Sequence, residues 1–333
     1  DRMYSNKFIE KNDLIFKTKT IKLFSRKKLV FNEADYFYEE IRKHLFNQYG
    51  EKKFYSEGLI VKTSLDSNLQ KIANKSLIKG LIDYDKRHGW RGSLAKDDVS
   101  NENIENFILK FKNPFPNKWQ IVQIKKINNS LITVLDKNNK DLIIDLNFAE
   151  NEWLKKELFS VGELIFVELI ENDLIIRQTP EVNGAIIVIN PHSGDVLAMS
   201  GGLSFNLSQF NRSTQAKRQP GSAFKPFVYI TALKEGYTPS TLILDAPYVV
   251  DQGPDLPKWK PSNYTEKFYG LNTMRTGIEK SRNLMTIRLA DKVGMNKILK
   301  TAKDFDIDKY LDKNLSMALG AGNMTLKKIT NAY

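Results

Sequence analysis

A serine and a lysine three residues apart, Ser222 and Lys225, are the pair in this sequence best arranged for catalysis. Residues three apart on a helix share one face, so the Lys225 amine can take the proton of the Ser222 hydroxyl. Pro220-Gly221 precedes the pair and puts Ser222 in the first turn of a helix, where unpaired N–H groups can stabilise an oxyanion. The spacing therefore predicts a serine nucleophile, Ser222, with Lys225 as its general base.

The Ser-x-x-Lys spacing alone is not specific, because it occurs three more times in this lysine-rich chain, starting at Ser25, Ser76 and Ser93. Context distinguishes Ser222 from these three serines. A predicted buried hairpin and a Pro-Gly turn precede it, and an apolar helical stretch follows it.

Ser281-Arg282-Asn283 is the second candidate element. Residues two apart in an extended loop point the same way, so Ser281 and Asn283 can both face a cleft. There Ser281 can relay a proton and Asn283 can hold a substrate amide. Either residue could instead cap a helix. A second Ser-x-Asn, at Ser204, makes this motif weak by itself.

Ser-x-x-Lys, Ser-x-Asn and Lys-Thr-Gly, in that order, form the signature of penicillin-binding proteins and class A β-lactamases. The order excludes Ser204, which precedes Ser222. It also excludes Arg275-Thr276-Gly277, which resembles the third motif but precedes Ser281. The sequence contains no true Lys-Thr-Gly, so the third motif is absent from these 333 residues.

The composition excludes several other chemistries. The chain has no cysteine, which removes disulfides, thiol nucleophiles and cysteine zinc sites. Its three histidines, His44, His88 and His192, are far apart in sequence and form no ligand cluster, so we expect no metal site. No run of about 18 apolar residues predicts a transmembrane helix, and no signal peptide is evident.

The charge balance favours an anionic partner. The 51 Lys and Arg against 39 Asp and Glu give a formal net charge of +12, which suits nucleic acid, an acidic membrane surface or an acidic polymer. Residues 11–30 hold seven Lys or Arg and a single acid, Asp13. This run is either a solvated connector or a contact with anionic lipid headgroups.

The first 96 residues are predicted to contain two helices and one strand. A short helix is expected from Asp35 to Gly50, and residues 59–65 are typical of a strand. Asp66 is expected to cap the next helix, residues 69–81, whose apolar residues keep helical spacing.

The pattern of apolar and turn-forming residues changes twice after residue 96. Short β-rich runs separated by Asn, Asp and Gly predict a small all-β barrel, with a hairpin turn at Asn138-Asn139. The predicted strands are 119–127, 131–135, 142–146, 164–169 and 174–177. From residue 184 the pattern is α/β: 185–189 and 196–199 predict a buried hairpin, and mainly helices are expected after Gly221.

Beyond single motifs, long stretches of the chain resemble class A penicillin-binding proteins. The stretch around Ser222 is similar to their nucleophile region almost throughout, and the resemblance covers nearly the whole chain, more weakly over 97–180. The stretches that carry it are 201–229, 261–264, 276–286 and 315–322, with 84–92 and 1–4 resembling the branch that has an OB-like insert.

The resemblance implies a fold and a domain order. The fold is the α/β transpeptidase fold of penicillin-binding proteins and β-lactamases, an antiparallel sheet with helices, here truncated and with an inserted all-β OB-like domain. We expect 1–58 to be a linker after an absent glycosyltransferase domain and 59–96 to join it to the transpeptidase. Residues 97–180 would be the insert, and 181–333 the N-terminal part of the transpeptidase domain. Neither end is typical of a natural terminus, so an excerpt of a longer protein is expected.

The resemblance also implies a reaction. Ser222 would attack the D-Ala-D-Ala amide of a peptidoglycan stem peptide, and an amine of a second stem would resolve the acyl-enzyme into a cross-link. β-Lactams would acylate the same serine. Lys225 would act as a neutral amine with a depressed pKa, and Ser281 and Asn283 would relay a proton and hold the substrate amide. The implied reaction needs no metal and no organic cofactor. The excerpt alone is expected to be inactive.

The resemblance further implies a location and partners. The parent protein would work at the periplasmic face of the bacterial inner membrane with other cell-wall synthesis proteins. It would also polymerise glycan through its glycosyltransferase domain.

Two alternatives remain open at this point. A serine hydrolase of the β-lactamase or carboxypeptidase type shares the fold and Ser-x-x-Lys, although the long N-terminal region argues against a compact β-lactamase. A nucleic-acid-binding module is suggested by the basic charge and the OB-like barrel. The aromatic residues of 97–180 are few, and many precede strands or fit core spacing, so no nucleic-acid partner is expected.

Overall fold

The computed structural model describes residues 2–11, 33–95, 111–250 and 257–333. The chain divides into two compact units, Asp1–Asn32 and Glu33–Tyr333. No helix within the described residues is both long and apolar enough to cross a lipid bilayer.

The first unit contains helix α1 (Arg2–Ser5), a single turn without buried residues. The Asn6 N–H donates to the Arg2 carbonyl and continues this turn. The predicted lipid-contacting run at 11–30 lies, apart from Lys11, outside the described residues.

The second unit begins with helix α2 (Asp35–Ser56), which starts where the sequence predicts. The helix breaks at Gly50, as predicted. Gly50 adopts φ 75° and ψ 166°, a kink that glycine tolerates, and the helix resumes beyond it. Edge-to-face contacts of Phe46 with Phe54 and Tyr55 join the two sides of the kink.

The strand predicted over residues 59–65 is wrong, since no strand is assigned there. The apolar side chain of Ile60 is 91% exposed, and the segment has no ladder partner. Asp66 does cap helix α3 (Ser67–Lys86): its carboxylate accepts from the N–H groups of Asn68 and Leu69, both at 2.9 Å. The helix is longer at both ends than the predicted 69–81.

The β-rich region folds as predicted into a five-stranded antiparallel sheet. Its strands are β1 (Trp119–Asn128), β2 (Leu131–Leu135), β3 (Asp141–Asp145), β4 (Leu164–Ile170) and β5 (Asp173–Arg177). Their order is β3-β2-β1-β4-β5, and the two outer strands also contact each other. Asn139, at φ 59°, lies in the β2–β3 turn as predicted.

One buried side chain joins the outer strands of this sheet. The Asn151 amide donates to the carbonyls of Asp145 and Leu174 and accepts from the Ile176 N–H, at 2.9, 3.0 and 2.9 Å. The strand order and this closure are those of a partly open five-stranded barrel. That the barrel is a separate OB-like insert, bounded at 97 and 180, stays a prediction.

The predicted hairpin is present as β6 (Ile186–Ile189) and β7 (Val196–Ser200), paired antiparallel. It is less buried than expected. All four residues of β6 are only half-buried, whereas Ala198 to Ser200 of β7 are buried. Helices α2 and α3 pack on β7, so this part of the chain covers one strand of the hairpin more fully than the other.

The chain after Gly221 is mainly helical, as expected. Its helices are α4 (Lys225–Lys234), α5 (Met274–Glu279), α6 (Asn283–Val293), α7 (Met295–Asp304) and α8 (Leu326–Ala332). The sequence did not predict the antiparallel pair β8 (Leu242–Asp245) and β9 (Gly270–Thr273). Helices α4, α6 and α7 share one apolar core. The described residues thus have the α/β fold of helices with antiparallel sheets that the sequence predicts.

Candidate active site

Ser222 lies in a tight 3₁₀ turn, Gly221–Phe224, that leads directly into helix α4. Gly221 adopts φ 57°, the left-handed region that a residue with a side chain rarely enters. Pro220 starts the turn, and its carbonyl accepts from the Ala223 N–H. The Pro-Gly sequence thus places Ser222 at the entrance of the helix as predicted, with its side chain exposed.

A second segment holds this turn from behind. The backbone groups of Arg218 and Met324 exchange two hydrogen bonds, and the Gly221 N–H donates to the Gly320 carbonyl at 3.2 Å. A Cβ at Gly320 would lie 2.1 Å from the Gly221 oxygen, so only glycine permits this approach. The 315–322 stretch noted in the sequence therefore backs the nucleophile turn.

Lys225 is the first residue of α4, and its side chain is buried at 1% exposure. Its Nζ donates to the Ser281 carbonyl at 2.6 Å, to Ser281 Oγ at 3.0 Å and to Asn283 Oδ1 at 2.6 Å. Burial lowers the pKa of Lys225 to about 8. Roughly a tenth of these amines are therefore neutral at pH 7.

Ser281 and Asn283 both reach Lys225, but not from an extended loop as predicted. Ser281 has φ 52°, a left-handed turn conformation, and Asn283 is already the first residue of α6. The turn exposes both the carbonyl and the hydroxyl of Ser281 to the lysine. Asn283 also donates through Nδ2 to the Ser262 carbonyl at 2.8 Å, which fixes its amide oxygen toward Lys225.

Three of the four predicted site residues, Lys225, Ser281 and Asn283, are thus in direct contact. The fourth, Ser222, lies one turn of helix before Lys225. In the part of the chain that the structure describes, no hydrogen bond joins the Ser222 hydroxyl to the Lys225 amine. The Lys225 N–H bonds to the Ser222 carbonyl, so the two residues share one turn. The arrangement places an exposed serine one turn from a buried amine, the combination that activation of a serine nucleophile requires.

The competing motifs have other roles in the structure. Ser76 is exposed on α3, and its partner Lys79 pairs instead with Asp83. Ser204 Oγ donates to the Pro114 carbonyl at 2.6 Å and holds the loop before β1. Gly277, of the Arg-Thr-Gly sequence, is buried on helix α5 rather than on a strand. Ser25 lies outside the described residues.

Two buried residues at the site were not singled out in the sequence as functional. Asn263 is 3% exposed and contacts the N-terminus of α6, and Asp245 is fully buried behind it. Asn263 belongs to the 261–264 stretch of the family resemblance, which gave it no role, and Asp245 carried no motif. Among the described residues, no group of three His, Cys, Asp or Glu side chains is placed to hold a metal ion.

Comparison with known proteins identifies a domain family for the part of the chain that contains the site. Residues 184–323 match the family model described as the penicillin binding protein transpeptidase domain. This match contains Ser222, Lys225, Ser281 and Asn283, and it also contains Asp245 and Asn263.

Several curated relatives that match most of this chain are penicillin-binding proteins 1A. The chain is 41% identical over 306 residues to penicillin-binding protein 1A of Rickettsia bellii and 32% identical over 316 residues to that of Pseudomonas aeruginosa. Each match covers 90% of this chain and 38% of the relative. The crystal structure of penicillin-binding protein 1A from Haemophilus influenzae superposes with a TM-score of 0.81 at 29% identity, covering 100% of this chain and 50% of that one.

Residues 184–323 thus match a transpeptidase domain of the penicillin-binding proteins, and the chain as a whole is similar to penicillin-binding protein 1A, in line with the class A resemblance of its sequence motifs. It spans less than half the length of the curated relatives that it matches.

Proposed function

We propose that this chain forms the acylating part of a peptidoglycan DD-transpeptidase within a bifunctional class A penicillin-binding protein. The observation that carries the proposal is the buried Lys225 amine, held by Ser281 and Asn283 one turn from the exposed Ser222. The family match over residues 184–323 supports the same assignment. β-Lactams are the corresponding inhibitors.

In the first step, the neutral Lys225 amine takes the proton of the Ser222 hydroxyl. Ser222 Oγ then attacks the carbonyl carbon of the D-Ala-D-Ala amide in a stem peptide. The Ser222 N–H faces the developing oxyanion, whereas the Gly221 and Ala223 N–H groups of the same turn donate to the Gly320 and Pro220 carbonyls. The C–N bond breaks, the departing D-Ala amine takes a proton, and an ester to Ser222 remains. The low pKa of Lys225 supports its role as the base.

Ser281 and Asn283 complete the proton path and the substrate site. Ser281 Oγ, 3.0 Å from the Lys225 amine, passes a proton from that amine to the leaving group. Asn283 is positioned to hold the substrate amide. In the second step, an amine of another stem peptide attacks the ester, and Ser222 recovers its proton as the cross-link forms. Water in place of this amine gives carboxypeptidation.

The setting of the reaction follows from the same assignment. The work site is the periplasmic face of the bacterial inner membrane, and the substrates are peptidoglycan stem peptides. The basic residues at 11–30 suit contact with an anionic membrane surface. Glycan polymerisation and contacts with other cell-wall synthesis proteins belong to the protein as a whole.

The function is tested with a stem peptide that ends in D-Ala-D-Ala and an added amine acceptor. These 333 residues lack a Lys-Thr-Gly motif. The assay therefore uses a longer polypeptide that contains these residues and a Lys-Thr-Gly motif. We expect release of D-Ala and an acceptor-containing product, both lost in Ser222→Ala. Rapid turnover of a chromogenic cephalosporin, without acceptor product, would instead identify a β-lactamase-type hydrolase.

A further inference from the structure

A chain of hydrogen bonds, buried at Asp245 and half-buried at Asn283, runs from Asp245 to the catalytic lysine. Asp245 Oδ1 accepts from Asn263 Nδ2 at 2.8 Å, and Asn263 Oδ1 accepts from the Asn283 N–H at 2.9 Å. Asn283 Oδ1 in turn accepts from Lys225 Nζ at 2.6 Å. Asp245, Asn263 and Lys225 are 0%, 3% and 1% exposed, so water hardly competes for these bonds.

The surroundings of Asn263 allow its amide only one orientation. On one side, its Nδ2 donates to the Asp245 carboxylate and to the Lys267 carbonyl, both of which only accept. On the other side, its Oδ1 faces the N–H groups of Asn283 and Leu284, at 2.9 and 3.3 Å, which only donate. A flipped amide would lose all four bonds. Asp245 thus fixes which end of Asn263 meets helix α6.

Helix α6 depends on this contact because its own N-cap residue supplies none. Arg282 occupies the N-cap position, and its side chain makes no capping bond. The first N–H groups of a helix have no partner within the helix, and losing a cap costs about 1 kcal/mol. Asn263 caps α6 from another part of the chain and so fixes Asn283 at its first position.

The Arg282 side chain anchors the same segment on the opposite side from Lys225. Its guanidinium lies over the Tyr269 ring, 3.3 Å from the centroid, and its Nε is 3.9 Å from Asp245 Oδ2. The middle residue of Ser281-Arg282-Asn283 therefore points to Asp245 and Tyr269. Its two neighbours are left to contact Lys225.

We propose that Asn263 and Asp245 are positioning residues for acylation. They hold the Ser-x-Asn segment so that Ser281 and Asn283 meet the Lys225 amine together. This inference rests on the proposed function for its kinetic consequence. The capping contact itself can be measured without any activity.

The test compares Asn263→Ala with Asp66→Ala. Asp66 is a matched control, since its single Oδ1 also accepts two N–H groups at a helix N-terminus, on α3. Both variants lose a helix cap, and Asn263→Ala should lower the unfolding midpoint further, because it also leaves the buried Asp245 carboxylate without its Nδ2 donor. We expect Asn263→Ala to slow acylation by penicillin about 10²-fold, and Asp66→Ala to leave it unchanged.

A double-mutant cycle separates positioning from a general loss of stability. If Asn263 acts through the Ser-x-Asn segment, then Asn263→Ala combined with Asn283→Ala should slow acylation by clearly less than the product of the two single losses. Asp245→Asn keeps an oxygen for Asn263 Nδ2 and should acylate faster than Asp245→Ala. Multiplied rate losses in the double variant, or an unchanged rate in Asn263→Ala, would overturn the inference.

Hydrogen–deuterium exchange tests the contact if the protein does not acylate at all. Asn263→Ala should speed exchange of the Asn283 and Leu284 amides, whereas Asp66→Ala should speed only the start of α3. Unchanged exchange at Asn283 and Leu284 would refute the cap whatever the activity. Lack of acylation in the unmutated protein, with faster exchange in Asn263→Ala, would refute only the proposed function.

Discussion

The Lys225 Nζ lies 2.6 Å from Asn283 Oδ1, although the two residues are 58 positions apart in the chain. The contact joins the N-termini of helices α4 and α6, which also pack against each other in the apolar core. Burial disfavours the ammonium and lowers the pKa of Lys225, whereas the contact with Asn283 fixes the position of the amine. The account of catalysis depends on this pairing.

Replacing Lys225 by alanine should abolish acylation with a smaller effect on folding. Losing a general base typically costs about 10²–10⁴-fold in rate. The loss of a buried ammonium offsets part of the cost of leaving Ser281 and Asn283 without their donor. Stopped-flow acylation and urea unfolding would measure the two effects. Acylation within about threefold of the unmutated rate would mean that Lys225 is structural and that another base operates.

Acylation should accelerate with pH and level off above about pH 8, because only the neutral Lys225 amine accepts the Ser222 proton. The measurement is the second-order rate of penicillin acylation, corrected for hydrolysis of free penicillin. A rate that does not change between about pH 6 and about pH 9 would contradict the assignment of Lys225 as the titrating base.

The same pKa predicts how stability depends on pH. The pKa of Lys225 is about 8 in the folded chain, against the ordinary lysine value of 10.5 in the unfolded chain. Between these values the unfolded chain binds more protons, so the free energy of unfolding contributed by Lys225 rises with pH in this window. Below about pH 8 the free-energy cost of burying the Lys225 ammonium is fully present. Lys225→Ala should remove this rise, and equal pH slopes in both proteins would contradict it.

Gly320→Ala should disturb the nucleophile turn, and Gly194→Ala is its matched control. The two glycines have φ of 79° and 77°, so alanine is similarly strained at either, by about 1–2 kcal/mol. Only at position 320 does the new Cβ meet backbone, that of Gly221, whereas Gly194 has open space. We expect Gly320→Ala alone to slow acylation, by about 10²-fold. Equal acylation rates in the two variants would show that the contact does not position Ser222.

Asn151→Ala should weaken the β-barrel without affecting acylation. The substitution removes three hydrogen bonds, to the Asp145 and Leu174 carbonyls and from the Ile176 N–H, at a cost of about 1–3 kcal/mol for each group left unpaired. The Asp145 carbonyl keeps a bond from the Phe148 N–H. If the barrel is a separate domain outside the active site, as predicted, the folded variant should acylate at an unchanged rate. A folded Asn151→Ala protein that no longer acylates would connect the barrel to the active site.

Patterns that repeat along the chain allowed much of this fold to be predicted. The strands of the barrel alternate or are continuously apolar and are separated by turn residues, so each was located to within one or two residues. The β8–β9 pair was missed because each strand has four residues and β9, Gly270–Thr273, has a turn-like composition. The strand predicted over residues 59–65 is wrong for the opposite reason: the residues there are typical of a strand, but the segment has no partner strand.

Local spacing also explains what could be predicted of the site. Ser222 and Lys225 share one turn, so their relation follows from the sequence alone. Asn263 donates to Asp245 from 18 residues away and caps Asn283 from 20 residues away. Such a contact depends on how loops and helices pack, and no periodicity in the sequence reports it. The left-handed turn at Ser281 was likewise invisible, because serine seldom adopts that conformation.

The central claim is that Ser222 is acylated, and mass spectrometry after penicillin treatment tests it most directly. The protein is a polypeptide that carries these residues and a Lys-Thr-Gly motif, with Ser222→Ala as its control. We predict a single adduct on the peptide containing Ser222, absent from the control. An adduct on the peptide of Ser76, Ser93 or Ser281, retained in Ser222→Ala, would contradict the account.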